Sequence, residues 1–131
     1  MFALDIKVLI VDDMFAMRKL VMKVCKEIGF KNFTEAGDGA IAWQAVMDAK
    51  PPFDLIISDW NMPNSSGLDL LKRVRGDSRF KLTPFLMVTA EAEAHQVAEA
   101  IKAGVSNYVI KPFTGDALRD KLEGIHQRLP K

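Results

Sequence analysis

Short, almost uninterrupted apolar runs alternate with stretches of helical apolar spacing along this chain of 131 residues. The clearest runs are residues 7–11, 54–58, 84–88 and 107–110, and a weaker one lies at 32–36. Runs of this kind are typical of strands that are buried on both faces. Five strands that each precede a helix predict an α/β fold, a doubly wound parallel sheet with helices on both faces.

Between the runs, apolar residues recur at the spacing of an amphipathic helix. The first of these stretches includes Leu20 in its series and stops at Gly29, a residue type that commonly ends a helix. The fourth includes Ile101 and precedes Gly104. The spacing therefore predicts that Leu20 and Ile101 lie on the apolar faces of their helices.

Composition limits the classes of function that the chain can have. Lys and Arg number 18 against 17 Asp and Glu, and the net charge of +1 argues against nucleic-acid binding through bulk electrostatics. No apolar stretch is long enough for membrane insertion, and no secretory signal is recognisable at the N-terminus. The single cysteine, Cys25, excludes an intramolecular disulfide and a cysteine-built zinc site. We expect one cytoplasmic, monomeric domain over residues 1–131.

Polar residues suited to phosphate chemistry follow four of the five predicted strands. Asp12 and Asp13 follow the first strand and Asp59 follows the third. Thr89 follows the fourth strand and Lys111 follows the fifth. Ligands of doubly wound sheets bind beyond the carboxyl ends of the strands. We therefore expect these five side chains to share one edge of the sheet.

These residue types together favour phosphoryl transfer. Neighbouring carboxylates repel one another unless a cation intervenes, and Mg²⁺ is favoured where phosphate oxygens complete its shell. A carboxylate is a nucleophile toward phosphorus, and a metal together with Lys111 would neutralise the developing charge. Thr89 would add a hydroxyl donor. The spacing does not decide which aspartate is the acceptor.

Each of these residues also has a structural interpretation when it is taken alone. Asp12 and Asp13 could cap a helix, Asp59 could form a turn, and Lys111 with Pro112 could form a surface turn. Turn residues with unrelated roles would not be expected to fall so consistently at one edge of a sheet. Their joint placement favours the functional interpretation.

At these residues the chain resembles the receiver domain of two-component response regulators. The segments that carry the resemblance are VLIVDD (8–13), EAGDG (35–39), ISDWNMPNSSGLDLLKRVR (57–75), LMVTAEA (86–92) and YVIKPFT (108–114). The DWNMPN stretch and the single tyrosine, Tyr108, look more narrowly like CheY-type single-domain chemotaxis regulators. The resemblance implies a flavodoxin-like (β/α)5 receiver with strand order 2-1-3-4-5 and no output domain.

The resemblance also implies a role for each residue of the acidic edge. Asp59 would be the 4-aspartylphosphate acceptor. Asp12, Asp13 and Asp59 would hold Mg²⁺ together with the backbone carbonyl of Asn61. Asn61 and Glu91 would tune the lifetime of the phosphoryl group.

A second set of implied roles concerns the phosphoryl group and the switch. Lys111, across a cis peptide to Pro112, would pair with the phosphoryl group, and the Thr89 hydroxyl would bond to one of its oxygens. Thr89 and Tyr108 would move together. The face formed by helix 4, strand 5 and helix 5 would then become the partner surface.

The resemblance implies partners rather than a metabolite as substrate. The phosphodonor would be a CheA-like histidine kinase, and the output partner a flagellar motor switch protein or another protein that binds the phosphorylated form. A phosphatase would be a further partner. The protein would not be a metabolic enzyme, but it would catalyse its own phosphoryl uptake and hydrolysis.

Departures from the chemotaxis pattern leave alternatives open. The loop after the acidic pair reads Met14, Phe15 and Ala16, which is more apolar than usual, and Glu93 and Ala94 replace the usual basic start of helix 4. A phosphorelay intermediate or phosphate sink is therefore an alternative. An aspartyl-phosphate phosphatase of the haloacid dehalogenase type would need an acid at position 61. An FMN phosphate would be repelled by the acidic pair after the first strand.

Overall fold

A computed structural model describes residues 2–89 and 94–129, apart from the side chains of residues 94 and 95. Within this part of the chain, strands and helices alternate from end to end. The strands are β1 (Lys7–Val11), β2 (Asn32–Ala36), β3 (Leu55–Asp59), β4 (Phe85–Thr89) and β5 (Asn107–Ile110). The helices are α1 (Phe15–Ile28), α2 (Gly39–Asp48), α3 (Gly67–Gly76), α4 (Ala94–Lys102) and α5 (Gly115–Gln127).

All five strands pair in parallel in the order β2-β1-β3-β4-β5, which confirms the predicted fold and strand order. Alternate residues of β1 belong to two different apolar cores, with Val8 and Ile10 in one and Leu9 and Val11 in the other. Both faces of the sheet are therefore covered, which explains why its central strands are apolar at nearly every position. The edge strand β2 alternates between exposed and half-buried residues before it ends at the buried Ala36, and its signal in the sequence is correspondingly weaker.

Strands β3 and β4 each begin and end one residue later than predicted. Asp59 is the last residue of β3 and pairs with Val88, while Thr89 is the last residue of β4 and pairs with Ile110. Pro84, which the prediction included in β4, has no backbone N–H to donate to a ladder. The one-residue shift places Asp59 and Thr89 within the sheet, so their backbones are held by strand pairing.

The predicted orientation of two helical residues was wrong. Leu20 is 45% exposed and Ile101 is 62% exposed, although both belong to apolar series. Val21 and Ala100, the adjacent residues, are buried instead. One residue along a helix is a rotation of about 100°, which moves Leu20 and Ile101 from the buried face to its flank.

An aromatic cluster at the amino ends of the strands joins Phe2 to the end of α5. The ring of Phe2 packs against Phe30, with centroids 6.4 Å apart, and against His126 of α5 at 5.2 Å. A groove beside this cluster is lined by residues that precede β1, β3 and β4, among them Ile6, Asp54 and Pro84. None of the helices in the described ranges is long and apolar enough to cross a membrane.

Candidate functional site

Three carboxylates meet at the carboxyl edge of the sheet, as predicted. Asp12 and Asp13 directly follow β1, and Asp59 ends the neighbouring strand β3. One ligand oxygen from each residue lies within 4.8 Å of the others. Asp12 is 3% exposed and Asp59 is 8% exposed, whereas Asp13 faces solvent. Oxygen ligands at this spacing could hold a hard divalent cation.

Lys111, which directly follows the edge strand β5, brings a positive charge to the same group. Its Nζ lies 3.0 Å from Asp59 Oδ1 and 3.5 Å from Asp12 Oδ2. Its backbone N–H donates to the Thr89 carbonyl at 2.7 Å, and the peptide to Pro112 is cis, as expected. The three acids and Lys111 still carry a net negative charge, which a divalent cation would neutralise.

Asp12 lies in buried surroundings that disfavour its charged form. Burial raises the pKa of Asp12, the Met14 backbone N–H that donates to its Oδ1 at 2.9 Å opposes this rise, and the neighbouring Asp59 charge adds to it. The net direction is upward. A buried carboxylate whose charge is disfavoured by its surroundings gains from a bound cation, because the cation stabilises the ionised form. The donor set therefore fits a divalent metal.

Thr89 and Tyr108 border the same small cavity beneath α4. Thr89 is buried at the end of β4, and Tyr108 is half-buried on β5. The cavity is also lined by Trp60 and by Ala100 of α4. The Tyr108 ring contacts the Lys121 ammonium, whose Nζ lies 5.2 Å from the ring centroid. The two residues that were expected to move together are therefore neighbours through one cavity.

Trp60 is buried and anchors the loop that follows β3. Its side chain belongs to the apolar core that contains Met87 and Ala100. Its backbone N–H donates to the Val88 carbonyl at 3.0 Å, and its carbonyl accepts from the Gly67 N–H at 2.8 Å. These two bonds fix the chain directly after Asp59.

The remaining predicted residues lie around this centre. Asn61 is exposed just after Trp60, and Glu91 lies outside the described residues. In the apolar loop, Met14 and Phe15 are exposed. The Phe15 ring is contacted by the Arg18 and Lys19 side chains rather than by the acidic group.

Gly67 was missed by the sequence analysis as a residue of the site. A Cβ built at this position would overlap the carbonyl oxygen of Asp59 and lie 2.9 Å from Met87 Sδ. Gly67 begins α3 directly after Ser66, whose side chain caps the helix through the Asp69 N–H. A glycine at the first helical position is the signal that could have indicated a close backbone approach.

The chain belongs to the response regulator family, since residues 8–123 match the model described as the response regulator receiver domain. Within it, the chain is homologous to CheY chemotaxis response regulators. It is 46% identical over 125 residues to chemotaxis protein CheY-3 of Vibrio cholerae, a match that covers 95% of each chain. It is 46% identical over 123 residues to chemotaxis protein CheY of Pseudomonas aeruginosa, covering 94% of this chain and 98% of that one.

Solved structures show the same relationship. The structure of the chemotaxis response regulator CheY4 of Vibrio cholerae superposes with a TM-score of 0.83 at 35% sequence identity, and the match covers 92% of this chain and 98% of that chain. The likeness therefore covers most of the chain. It agrees with the fold class and strand order predicted from the resemblance.

Proposed function

We propose that this protein accepts a phosphoryl group on Asp59 from a CheA-like histidine kinase and thereby switches the affinity of its own surface for a partner. The observation that carries the proposal is the contact between Asp59 Oδ1 and Lys111 Nζ, 3.0 Å long, inside the three-carboxylate group. The working unit is the single receiver domain of residues 1–131, acting as a monomer in the cytoplasm.

Mg²⁺ is the proposed cofactor of this reaction. The carboxylates of Asp12, Asp13 and Asp59 would hold it together with the backbone carbonyl of Asn61. When bound, it would neutralise negative charge that develops on the phosphoryl oxygens. The net negative charge of the described cluster and the upward pKa direction of Asp12 support this choice.

The transfer step uses Asp59 as the nucleophile. One of its carboxylate oxygens forms a bond to phosphorus while the bond from phosphorus to the donor histidine nitrogen breaks, and the electron pair of that bond stays on the imidazole. Lys111 offsets the repulsion between the incoming phosphoryl group and the carboxylates. In hydrolysis, water attacks phosphorus and the Asp59 oxygen leaves with the bonding pair. Both hydrogens of the water leave with the inorganic phosphate, which is released as dihydrogen phosphate.

Phosphorylation would reach the surface through Thr89 and Tyr108. The Thr89 hydroxyl would donate to a phosphoryl oxygen, which draws it toward Asp59 and enlarges the shared cavity on the side of Tyr108. The Tyr108 ring would then turn inward. A partner that binds the α4–β5–α5 face better in this state would shift the equilibrium toward it. A flagellar motor switch protein is the proposed partner because both relatives described above are chemotaxis proteins.

Intact-mass analysis after incubation with Mg²⁺ and acetyl phosphate tests the acceptor. The wild type is expected to gain one phosphoryl group, and Asp59→Asn is expected to gain none. Asp54→Asn is the matched control, because Asp54 precedes the same strand at the opposite edge of the sheet. Modification of Asp59→Asn at the wild-type rate would contradict the proposal.

A phosphorelay intermediate or phosphate sink is the second candidate. It is favoured by the acidic residues Glu91 and Glu93 in the sequence before α4, where chemotaxis regulators are commonly basic. Titration of the beryllofluoride-activated protein with a purified motor switch protein separates the two functions. Tight activation-dependent binding supports direct output, whereas rapid phosphoryl hydrolysis without any binding supports a sink.

A further inference from the structure

Asp12 is held by hydrogen bonds from three separate directions. Its backbone N–H donates to the Ala36 carbonyl at 3.1 Å, and its backbone carbonyl accepts from Arg18 Nη1 at 2.7 Å. Its Oδ1 accepts from the Met14 N–H at 2.9 Å. The remaining carboxylate oxygen, Oδ2, is the one that lies 3.5 Å from Lys111 Nζ. The backbone contacts therefore determine where Oδ2 points.

Arg18 is itself anchored. Its Nε donates to Glu35 Oε1 at 3.1 Å, and Lys19 Nζ donates to Glu35 Oε2 at 2.9 Å. A hydrogen bond from Lys19, which has the larger effect, and one from Arg18 hold the pKa of Glu35 below its usual value. The Glu35 carboxylate is therefore ionised at neutral pH. One planar guanidinium thus joins three parts of the fold, namely helix α1, strand β2 and the end of strand β1.

We propose that Arg18 is a positioning residue for Asp12, and that it strengthens Mg²⁺ binding without touching the metal. The inference rests on the proposed function, in which Asp12 is a metal ligand. Without Arg18, the largely buried Asp12 carbonyl would lose its charged donor, and a buried acceptor without a partner drives the local backbone to rearrange. The carboxylate would then be displaced from the other two acids.

The sign of the effect distinguishes this role from simple electrostatics. Arg18 is a cation close to the acidic group, so deleting its charge alone would strengthen the binding of Mg²⁺. Losing the position of Asp12 would weaken it. Residues that orient metal ligands typically change metal affinity by about 10-fold or more when they are replaced.

Lys19 provides a matched control for Arg18. Both side chains pair with Glu35, both contact the Phe15 ring, and both carry one positive charge on the same turn of α1. Arg18 also bonds to the Asp12 carbonyl. Lys19→Ala therefore reproduces the loss of charge and of the ion pair without a direct change at Asp12.

The experiment is a Mg²⁺ titration of the full chain by calorimetry, repeated with intrinsic tryptophan fluorescence at constant ionic strength. Arg18→Ala is expected to raise the Kd for Mg²⁺ about 10-fold. Arg18→Lys is expected to behave like Arg18→Ala, because an ammonium lacks the fork that reaches both acceptors. Lys19→Ala is expected to leave the Kd unchanged or slightly lower. Thermal unfolding confirms that each variant is folded at the titration temperature.

The outcomes separate the positioning role of Arg18 from the proposed function. If Arg18→Ala binds Mg²⁺ as tightly as the wild type or more tightly, Arg18 is not a positioning residue. The same conclusion follows if Lys19→Ala weakens binding as much as Arg18→Ala does. If Arg18→Ala is unfolded, Arg18→Lys decides the question by the same criterion. A wild type that does not bind Mg²⁺ would instead refute the proposed function.

Discussion

Replacing Gly67 by alanine is expected to destabilise this protein, although alanine is the better helix former. The new Cβ would overlap the Asp59 carbonyl oxygen and lie 2.9 Å from Met87 Sδ. The methionine side chain can turn away, but the Asp59 carbonyl belongs to a strand paired on both sides. The overlap can therefore be removed only if α3 and the end of β3 separate, and this would move the proposed phosphoacceptor.

The size of the effect follows from two opposing contributions. Forcing an extra methyl group into a close-packed site costs about 1–3 kcal/mol. Alanine recovers at most about 1 kcal/mol of helix propensity, and less at a helix end. The net loss for Gly67→Ala should be about 1–2 kcal/mol.

Gly76 serves as the matched control at the other end of α3. A Cβ built at Gly76 meets no atom within 4 Å, so Gly76→Ala should be neutral or stabilise the protein by about 0.5 kcal/mol. Urea unfolding followed by tryptophan fluorescence measures both variants. With a slope of about 1–3 kcal/mol per molar urea, the two midpoints should differ by about 1 M. Equal midpoints for Gly67→Ala and Gly76→Ala would refute the close-approach argument.

Three further outcomes are expected. Tyr108→Ala should retain Mg²⁺ binding and phosphorylation but weaken phosphorylation-dependent partner binding, and an unchanged affinity in a partner titration would contradict this. Asp38→Ala should cost about 1 kcal/mol in urea unfolding at neutral pH, because Asp38 caps α2 through the Ile41 N–H. This bond, with a second from Asn64, holds the pKa of Asp38 below its usual 3.8, so the stabilisation should be complete above about pH 4 and disappear as the pH falls further. If the difference in unfolding free energy between the wild type and Asp38→Ala kept its neutral-pH size well below pH 4, the capping role of Asp38 would be contradicted. Burial raises the pKa of the Cys25 thiol to about 12, so native protein should resist a thiol reagent at mildly alkaline pH and react only on unfolding; rapid native labelling would contradict this.

The sequence was sufficient to predict the fold and the centre of the site for a physical reason. In a parallel sheet, residues that follow different strands must meet at one edge, so Asp12, Asp59 and Lys111 could be placed together without knowing any distance. The structure places one carboxylate oxygen of Asp12 and one of Asp59 within 3.5 Å of Lys111 Nζ. Asn61 and Glu91, whose roles came only from resemblance, stay predictions.

Other features depended on packing that a one-dimensional pattern does not contain. Leu20 and Ile101 fit the helical spacing but lie at the flank of the buried face, since the spacing defines a stripe and not its exact centre. The importance of Gly67 comes from the Asp59 carbonyl that it approaches, and that of Arg18 from a backbone oxygen that any residue would offer. Neither contact leaves a signature in residue type alone.

The meeting of Phe2 with the end of helix α5 at the amino edge of the sheet has a practical consequence for reagents. Phe2 packs against His126 at this edge, and a five-residue strand separates it from the acidic group by roughly 16 Å. Phe2 and the end of α5 therefore lie on the side facing away from the acids, and a fluorescent protein or an immobilisation tag joined to either segment would be attached on that side. Such a fusion can therefore report on phosphorylation without covering the acidic group, provided that the Phe2 ring stays in place against His126.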